Sequence, residues 1–329
     1  MKPGKLSPAE LATIVFPRHG TRRADVLVRA GIGRDAAIVD FGAESAVLST
    51  DPITGAGNNA GWLAVQIGCN DVATAGAEPV GVLVTLLLAP ETALEDAQRI
   101  MTDAHRAAEE LRVEIIGGHS EITAGLARSI AVVTALGRVA RGRHVSADGA
   151  RPGDTILLTK WAGLEGTAIL ARDYAAPLAQ LLPVSVLERA QALIEQISVV
   201  PEALAAASVG ASAMHDATEG GVLGALAELA AASNLTLEID LDNVPILPET
   251  RALCASFGID PLGLVSSGAL LIATPTPDAV IAAVERLGCP ITRIGRAIAG
   301  PPVVRRTSDG SDVQPPARDA LWDALDKRL

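Results

Sequence analysis

Leu48–Pro79 reads LSTDPITGAGNNAGWLAVQIGCNDVATAGAEP, and it sets an acid against apolar chain twice. Asp51 closes an apolar run. Asp71 then stands inside a segment of small and apolar residues that stops at Gly76. Asn58–Ala75 is expected to be a helix, capped by Asn58 or Asn59 and ended by Gly76 in the position glycine favours. An ionised carboxylate in a surface that should be core is costly unless a cation or hydrogen-bond donors meet it. Asp71 has no basic partner at helical spacing, so a metal or nucleotide role outweighs a packing role there. Asp51 precedes Pro52, and a plain Asx-type turn explains it as well as a ligand role does.

Outward from this stretch, strands and helices alternate. Short strands are expected at 36–41 and 46–49. Val80–Leu88, VGVLVTLLL, is a continuous apolar run with the pattern of a strand buried on both faces. Thr92–Leu111 is an amphipathic helix with Leu94, Ala97, Met101, Ala104, Ala108 and Leu111 on one face. Strands follow at 113–116 and 129–136. The turn-rich run Ala147–Asp154 marks a domain boundary. Beyond it, Thr155–Thr159 opens the second unit, and strands are expected at 236–239, 269–273 and 291–298. Helices are expected at 164–172, 185–197, 201–208, 220–232 and 278–287. The segment 307–316 is expected to be loose, before a short terminal helix. The class is α/β or α+β with two domains, 1–149 and 150–329.

The 329 residues are 49% hydrophobic but only 2% aromatic, so the cores must be built from Ala, Val, Leu and Ile. A net charge of −11 argues against a nucleic-acid footprint. An acidic chain meets an anionic nucleotide through metal ions and backbone amides. Cys69, Cys254 and Cys289 form no CxxC pair, which suits a reduced cytoplasmic protein. Cys69 reads as a buried, inert thiol. No signal-peptide core and no membrane-length apolar run is present.

Four further motifs carry candidate chemistry. In GIGRDAAIVD, Gly31 and Gly33 permit close approach to a phosphate or a sharp turn, and Asp35 is a metal candidate or an exposed turn acid. Gly117-Gly118 follows VEII; a glycine pair at the end of a strand can cradle phosphates, though alone it is a weak signal. His119 then contacts a phosphate, shuttles a proton, or is structural; Glu121 has the same alternatives. In HDATEGG, Asp216 and Thr218 either cap the following helix or help its N-terminus hold a phosphate. Ser266-Ser267-Gly268 adds hydroxyl and amide donors or is a simple turn. There is no P-loop, no Rossmann fingerprint and no protein-kinase signature set.

In order, GIGRDAAIVD (31–40), STDPITG (49–55), NNAGWLAVQIGCNDVATAGAEPVG (58–81), IIGGHSEI (115–122), HDATEGGVLGALAELA (215–230) and GLVSSGALLIA (263–273) resemble the AIR synthase-like ATP-binding superfamily, and most closely its HypE-like branch. The resemblance implies a two-domain PurM-like fold. It also implies a homodimer whose N-terminal domains together close a β-barrel, with ATP near that interface. By motif it implies metal-binding roles for Asp35, Asp51, Asp71 and Asp216, with Arg34 replacing the first acid of the family's pair. Gly33, Asn70, Gly117, Gly118 and Thr218 are placed at the nucleotide, Asp71 and His119 at the chemistry, and Lys5 in a segment covering the phosphates. ATP and Mg²⁺ are the implied cofactors. The expected reaction is phosphorylation of an amide- or carboxyl-type oxygen, followed by dehydration or ring closure. A non-catalytic ATP-binding scaffold in metalloenzyme maturation and an aminoimidazole ribonucleotide synthetase are the alternatives. A HypF-type maturation protein is a possible partner; nucleic acid and membrane are not expected. No cysteine follows Cys289, so dehydration of a group carried on the chain's own tail is not expected. His119 stands where kinase-like members carry an aspartate, which counts against a thiamine-phosphate kinase.

Overall fold

The computed structural model describes residues 7–15, 17, 21–53 and 59–327. Lys5 and Asn58, two of the positions singled out above, lie outside them. The chain divides into two compact units. An N-terminal unit holds Asp25–Val28 and Asp35–His144. A C-terminal unit holds Val145–Leu329, Arg29–Arg34 and the segment up to Ala24, so far as these are described.

Helix α1 (Pro8–Ile14) is the first element among the described residues and carries a capping box between Ser7 and Glu10. The N-terminal unit then runs β1 (Val26–Val28), β2 (Ala37–Asp40), β3 (Glu44–Ile53), α2 (Ala60–Thr74), β4 (Glu78–Leu88), α3 (Leu94–Leu111), β5 (Glu114–Ile122) and β6 (Ile130–Ala140). Its six-stranded sheet has the order β1-β2-β3-β6-β4-β5. β6 pairs antiparallel with both β3 and β4, while β4 and β5 are parallel and joined through α3. Parallel neighbours need such a crossover.

Helix α2 is the pivot of this unit. Every residue from Gly61 to Thr74 is buried, the signature of a helix enclosed all round. It packs against α3 on one side and against β3 and β6 on the other. Small residues such as Gly61, Ala64 and Gly68 permit that closeness. Asn59 occupies the cap position with φ +74°, but its side chain makes no capping bond. Gly76 follows the helix with φ +69°.

Two expectations change here. β4 is not buried on both faces: Val80 and Leu83 are 37% and 41% exposed, as is Ile116 on β5 at 50%. Helices cover one side of the sheet, and the apolar other side is open. The strand expected at 113–116 runs on to Ile122, because the glycine pair continues along β4 instead of ending the strand.

The C-terminal unit runs β7 (Thr155–Thr159), α4 (Leu164–Asp173), α5 (Ala175–Leu178), α6 (Val184–Ala192), α7 (Val200–Ser208), β8 (Ala213–Asp216), α8 (Gly221–Ser233) and β9 (Thr236–Ile239). It continues with α9 (Pro248–Phe257), β10 (Leu270–Thr274), α10 (Pro277–Glu285), β11 (Ile291–Ile298), β12 (Val304–Arg306), β13 (Asp312–Val313) and α11 (Ala320–Lys327). A seven-stranded sheet of order β13-β12-β9-β11-β7-β10-β8 is its centre. One core joins Ile156, Leu158 and Leu271 of the sheet to Leu226 and Leu229 of α8. A second gathers Leu170, Leu253, Phe257, Leu264 and Leu321 among the helices. The segment 307–316, expected to be loose, contributes β13, which pairs with β12. Among the described residues, no helix is long and apolar enough to cross a membrane.

Candidate functional site

β3 brings the first pair of candidate acids together. A strand alternates its side chains between faces, and Ser45, Val47 and Ser49 are its buried positions. Asp51, two residues further on, is half-buried in the same register. The Ser49 hydroxyl donates to Asp71 Oδ2 at 2.5 Å and lies 3.3 Å from Asp51 Oδ2. One hydroxyl proton can serve only one of these carboxylates at a time. Asp71 is 6% exposed and its neighbour Asn70 is fully buried. Burial, and then the charge of Asp71, push the Cys69 thiol up to about 12, so Cys69 stays protonated and inert.

Two carboxylates sharing one small donor form a hard-oxygen set that suits Mg²⁺, which prefers one or two carboxylates together with phosphate oxygens. Asp71 is held on a rigid buried helix and Asp51 on a ten-residue strand. The pair is therefore fixed in place before any ligand arrives.

Gly117, Gly118 and His119 sit in the middle of edge strand β5, opposite Leu83, Val84 and Thr85 of β4. The register shifts by one residue at Ile116 of β5, between the Val82–Ile115 and Leu83–Gly117 pairs. A Cβ on Gly118, at φ +146°, would lie 1.8 Å from the Val84 carbonyl oxygen. Close pairing alone therefore accounts for glycine at this position. His119 is exposed, and its Nε2–H donates to Glu121 Oε2 at 3.2 Å. The Thr123 hydroxyl and then His119 hold the Glu121 carboxyl below its ordinary value.

Asp35 lies on the loop just before β2 and is half-buried. Arg34, assigned to the other unit, pairs with Asp148 at 2.5 Å. Gly33, at φ +68°, packs so close to α8 that a Cβ would lie 2.6 Å from the Glu228 carbonyl oxygen. Asp216 ends β8 and is buried beside His215, whose Nε2 lies 2.8 Å from Glu228 Oε2. Thr218 holds the following turn through its carbonyl, which accepts from Gly221 and Ser266 N–H. Neither Asp216 nor Thr218 caps α8: Gly220 takes that position at φ +88°.

A buried acid pair in the C-terminal unit escaped the sequence reading. Asp319 accepts from the N–H groups of Gly220 (2.6 Å), Leu321 (2.7 Å) and Val265 (3.2 Å). It thereby places a carboxylate at the start of α8, where the dipole favours one. Burial still raises its pKa to about 6, against the pull of those three donors. Glu165, in the first turn of α4, is pushed up to about 7 by burial first and by the charge of Asp319 as well, while the Ser267 hydroxyl opposes the rise. Ser266 Oγ accepts from Gly163 N–H at 2.7 Å, so the SSG turn closes the start of α4. A lone acid in the first turn of a helix looks like an ordinary dipole partner, and no local signal marks Glu165 as buried.

Residues 33–139 match the family described as AIR synthase related protein, N-terminal domain, and residues 151–307 match its C-terminal domain. The chain belongs to the AIR synthase-related family. It is 30% identical over 283 residues to the carbamoyl dehydratase HypE of Rhizobium leguminosarum bv. viciae, covering 83% of this chain and 78% of that protein. Among solved structures it is similar to the HypE–HypF complex, with a TM-score of 0.75 at 19% identity over 94% of this chain and 100% of that one. It is also similar to a hydrogenase maturation protein HypE in complex with ATP, with a TM-score of 0.67 at 22% identity over 97% of both chains. At these identities the two structures speak for the family fold.

Proposed function

We propose that this chain is a HypE-like, ATP- and Mg²⁺-dependent enzyme that phosphorylates an amide- or carboxyl-type oxygen of a small molecule or partner protein. Phosphorylation turns that oxygen into a leaving group, so loss of phosphate completes a dehydration or a ring closure. The observation that carries the reading is the Asp51–Ser49–Asp71 cluster on the buried face of β3 and α2. The relative named carbamoyl dehydratase and the ATP-bound HypE neighbour support it.

Asp51 and Asp71 are the proposed Mg²⁺ ligands, with Asp35 and Asp216 as further metal-binding acids. When bound, Mg²⁺ supplies charge neutralisation at the phosphates. The chain's own contribution is positioning: phosphoryl transfer asks little covalent chemistry of the protein. Asn70, Gly33, Gly117, Gly118 and Thr218 are assigned to nucleotide contact. The Glu121 carboxylate orients the His119 ring, leaving Nδ1 of the Nε2–H tautomer able to accept a proton from the acceptor group. The open apolar face around Val80, Leu83, Ile116 and Ile122 is proposed as the homodimer surface on which two N-terminal units close a barrel. A cytoplasmic location and a HypF-type partner in hydrogenase maturation complete the proposal.

Asp71→Asn keeps the size of the side chain and an acceptor for Ser49. It should lower Mg²⁺-dependent ADP release about 100-fold or more while the circular dichroism and Tm stay near wild type. Unchanged turnover would overturn the assignment. ATP binding without ADP release in the wild type, across amide and carboxylate acceptors, would favour the scaffold alternative.

A further inference from the structure

A cleft of about 730 Å³ in the C-terminal unit has an ion pair at its floor. Lys160 Nζ lies 2.6 Å from Glu202 Oε1, with 7% and 3% of the side chains exposed. Lys160 Nζ also donates to the Ser198 carbonyl at 2.5 Å. Lys160 sits at φ +53°, a conformation that side-chain-bearing residues adopt at a cost and that clusters at functional sites. A buried ion pair is also poor economy for stability, because apolar residues of similar volume commonly serve as well or better. Trp161, in a chain with three tryptophans, forms part of the wall. A cavity, a buried charged couple and a strained backbone thus coincide with a flat aromatic surface. Clefts with a few convergent polar groups are where small molecules bind.

The couple also restricts the ligand. An ammonium group has three N–H donors, and two of Lys160's are committed. Glu202 Oε1 takes the Lys160 ammonium and the Cys289 thiol, whose Sγ lies 3.7 Å away. Among the described residues, Oε2 has no hydrogen-bond partner. The floor therefore presents one remaining donor beside one remaining acceptor, with no net charge. Arg189 and Glu249 at the wall are paired with each other as well. A free anion would face Glu202, and a free cation would face Lys160. A group that is itself an acceptor beside a donor meets neither penalty.

We propose that this cleft binds a small planar primary amide, its carbonyl oxygen on Lys160 Nζ, its N–H on Glu202 and its ring against Trp161. All of its lining residues belong to the C-terminal unit, so the proposal stands apart from the ATP reading.

The test uses the full chain without nucleotide and three 3-substituted pyridine probes: nicotinamide, nicotinate and 3-(aminomethyl)pyridine. Titration calorimetry and saturation-transfer NMR should show nicotinamide binding with a Kd on the order of 1 mM, and each charged analogue at least tenfold more weakly. The Lys160→Met, Glu202→Met double variant removes donor and acceptor together, sparing the fold a lone buried charge, and should weaken nicotinamide at least tenfold. Ala192→Phe, at the cleft wall, should block the probe without touching the ion pair. Absence of saturable nicotinamide binding, equal binding of the three probes, or wild-type affinity in both variants would each overturn the proposal.

Discussion

Replacing Glu165 by Gln should change how stability depends on pH more than it changes stability itself. In the folded chain the carboxyl is buried in the first turn of α4, and burial, reinforced by Asp319, lifts its pKa from 4.5 to about 7. Between those values the folded state holds a proton that the unfolded state has released. Stability contributed by this group is therefore fully present below pH 4.5 and is lost as pH rises through 7. The interval corresponds to about 3 kcal/mol when complete. Glutamine has nearly the same shape and no charge to bury, so its variant lacks this loss. Guanidinium unfolding of both proteins at pH 5 and pH 8 measures the effect. The difference in unfolding free energy should move toward the variant by roughly 2–3 kcal/mol between the two conditions. Asp319, raised to about 6 by burial, titrates in the same range but is present in both proteins. Because the two acids interact, the macroscopic steps belong to the pair, and the comparison of slopes is the relevant quantity. Parallel stability profiles for the two proteins would refute the buried-acid reasoning.

Gly118→Ala should destabilise the N-terminal unit by about 2 kcal/mol or more in denaturant unfolding, since the added carbon would lie 1.8 Å from the Val84 carbonyl. Leu83→Glu, on the open face of the six-stranded sheet, should be monomeric in sedimentation equilibrium where the wild type forms the proposed dimer, with little change in far-ultraviolet circular dichroism; a dimer persisting in that variant would remove the sheet face from consideration. Cys69, Cys254 and Cys289, each pushed up to about 12 chiefly by burial, should resist a disulfide reagent at pH 8 in the native protein and react in guanidinium. Rapid native labelling of any one would contradict its protonated state.

Much of the fold was legible because most segments declare their own period. The helix around Asp71, the strand Thr236–Ile239 and the strand Ile291–Ile298 all occur where sequence pattern places them. Misreadings arose where the deciding contact is distant. Gly117 and Gly118 look like a strand end when read alone; pairing with β4 that continues through Leu88–Ile122 makes them mid-strand residues. Val80–Leu88 looks buried on both faces because nearly every side chain is apolar, Thr85 excepted, yet burial depends on whether anything covers the second face of the sheet. Within the candidate site, Asp51 and Asp71 were visible as misplaced acids, but Ser49 was not singled out. Its position two residues before Asp51 on an alternating strand was the available clue. Glu165 and Asp319 are separated by 154 positions in sequence, and no local pattern reports on a pairing of that kind.

The position of Asp71 also bears on the choice between enzyme and scaffold. Along α2, fourteen of fifteen residues are buried, and alanine or valine at position 71 would suit that packing without the desolvation cost of a carboxylate. Instead the chain carries an acid there, aims a serine hydroxyl at it, and sets a second acid within reach of the same hydroxyl. Two like charges so placed repel, and a shared neutral donor relieves that only in part. The arrangement is intelligible if a divalent cation and phosphate oxygens complete it, since attraction to the cation offsets both the desolvation and the repulsion. A scaffold that only holds nucleotide gains the same benefit, so the carboxylates alone do not separate the two readings. What separates them is the fate of the γ-phosphate: transfer demands that the acceptor oxygen be held in line with it, and its release as ADP forms is the observable that a purely binding site would not produce.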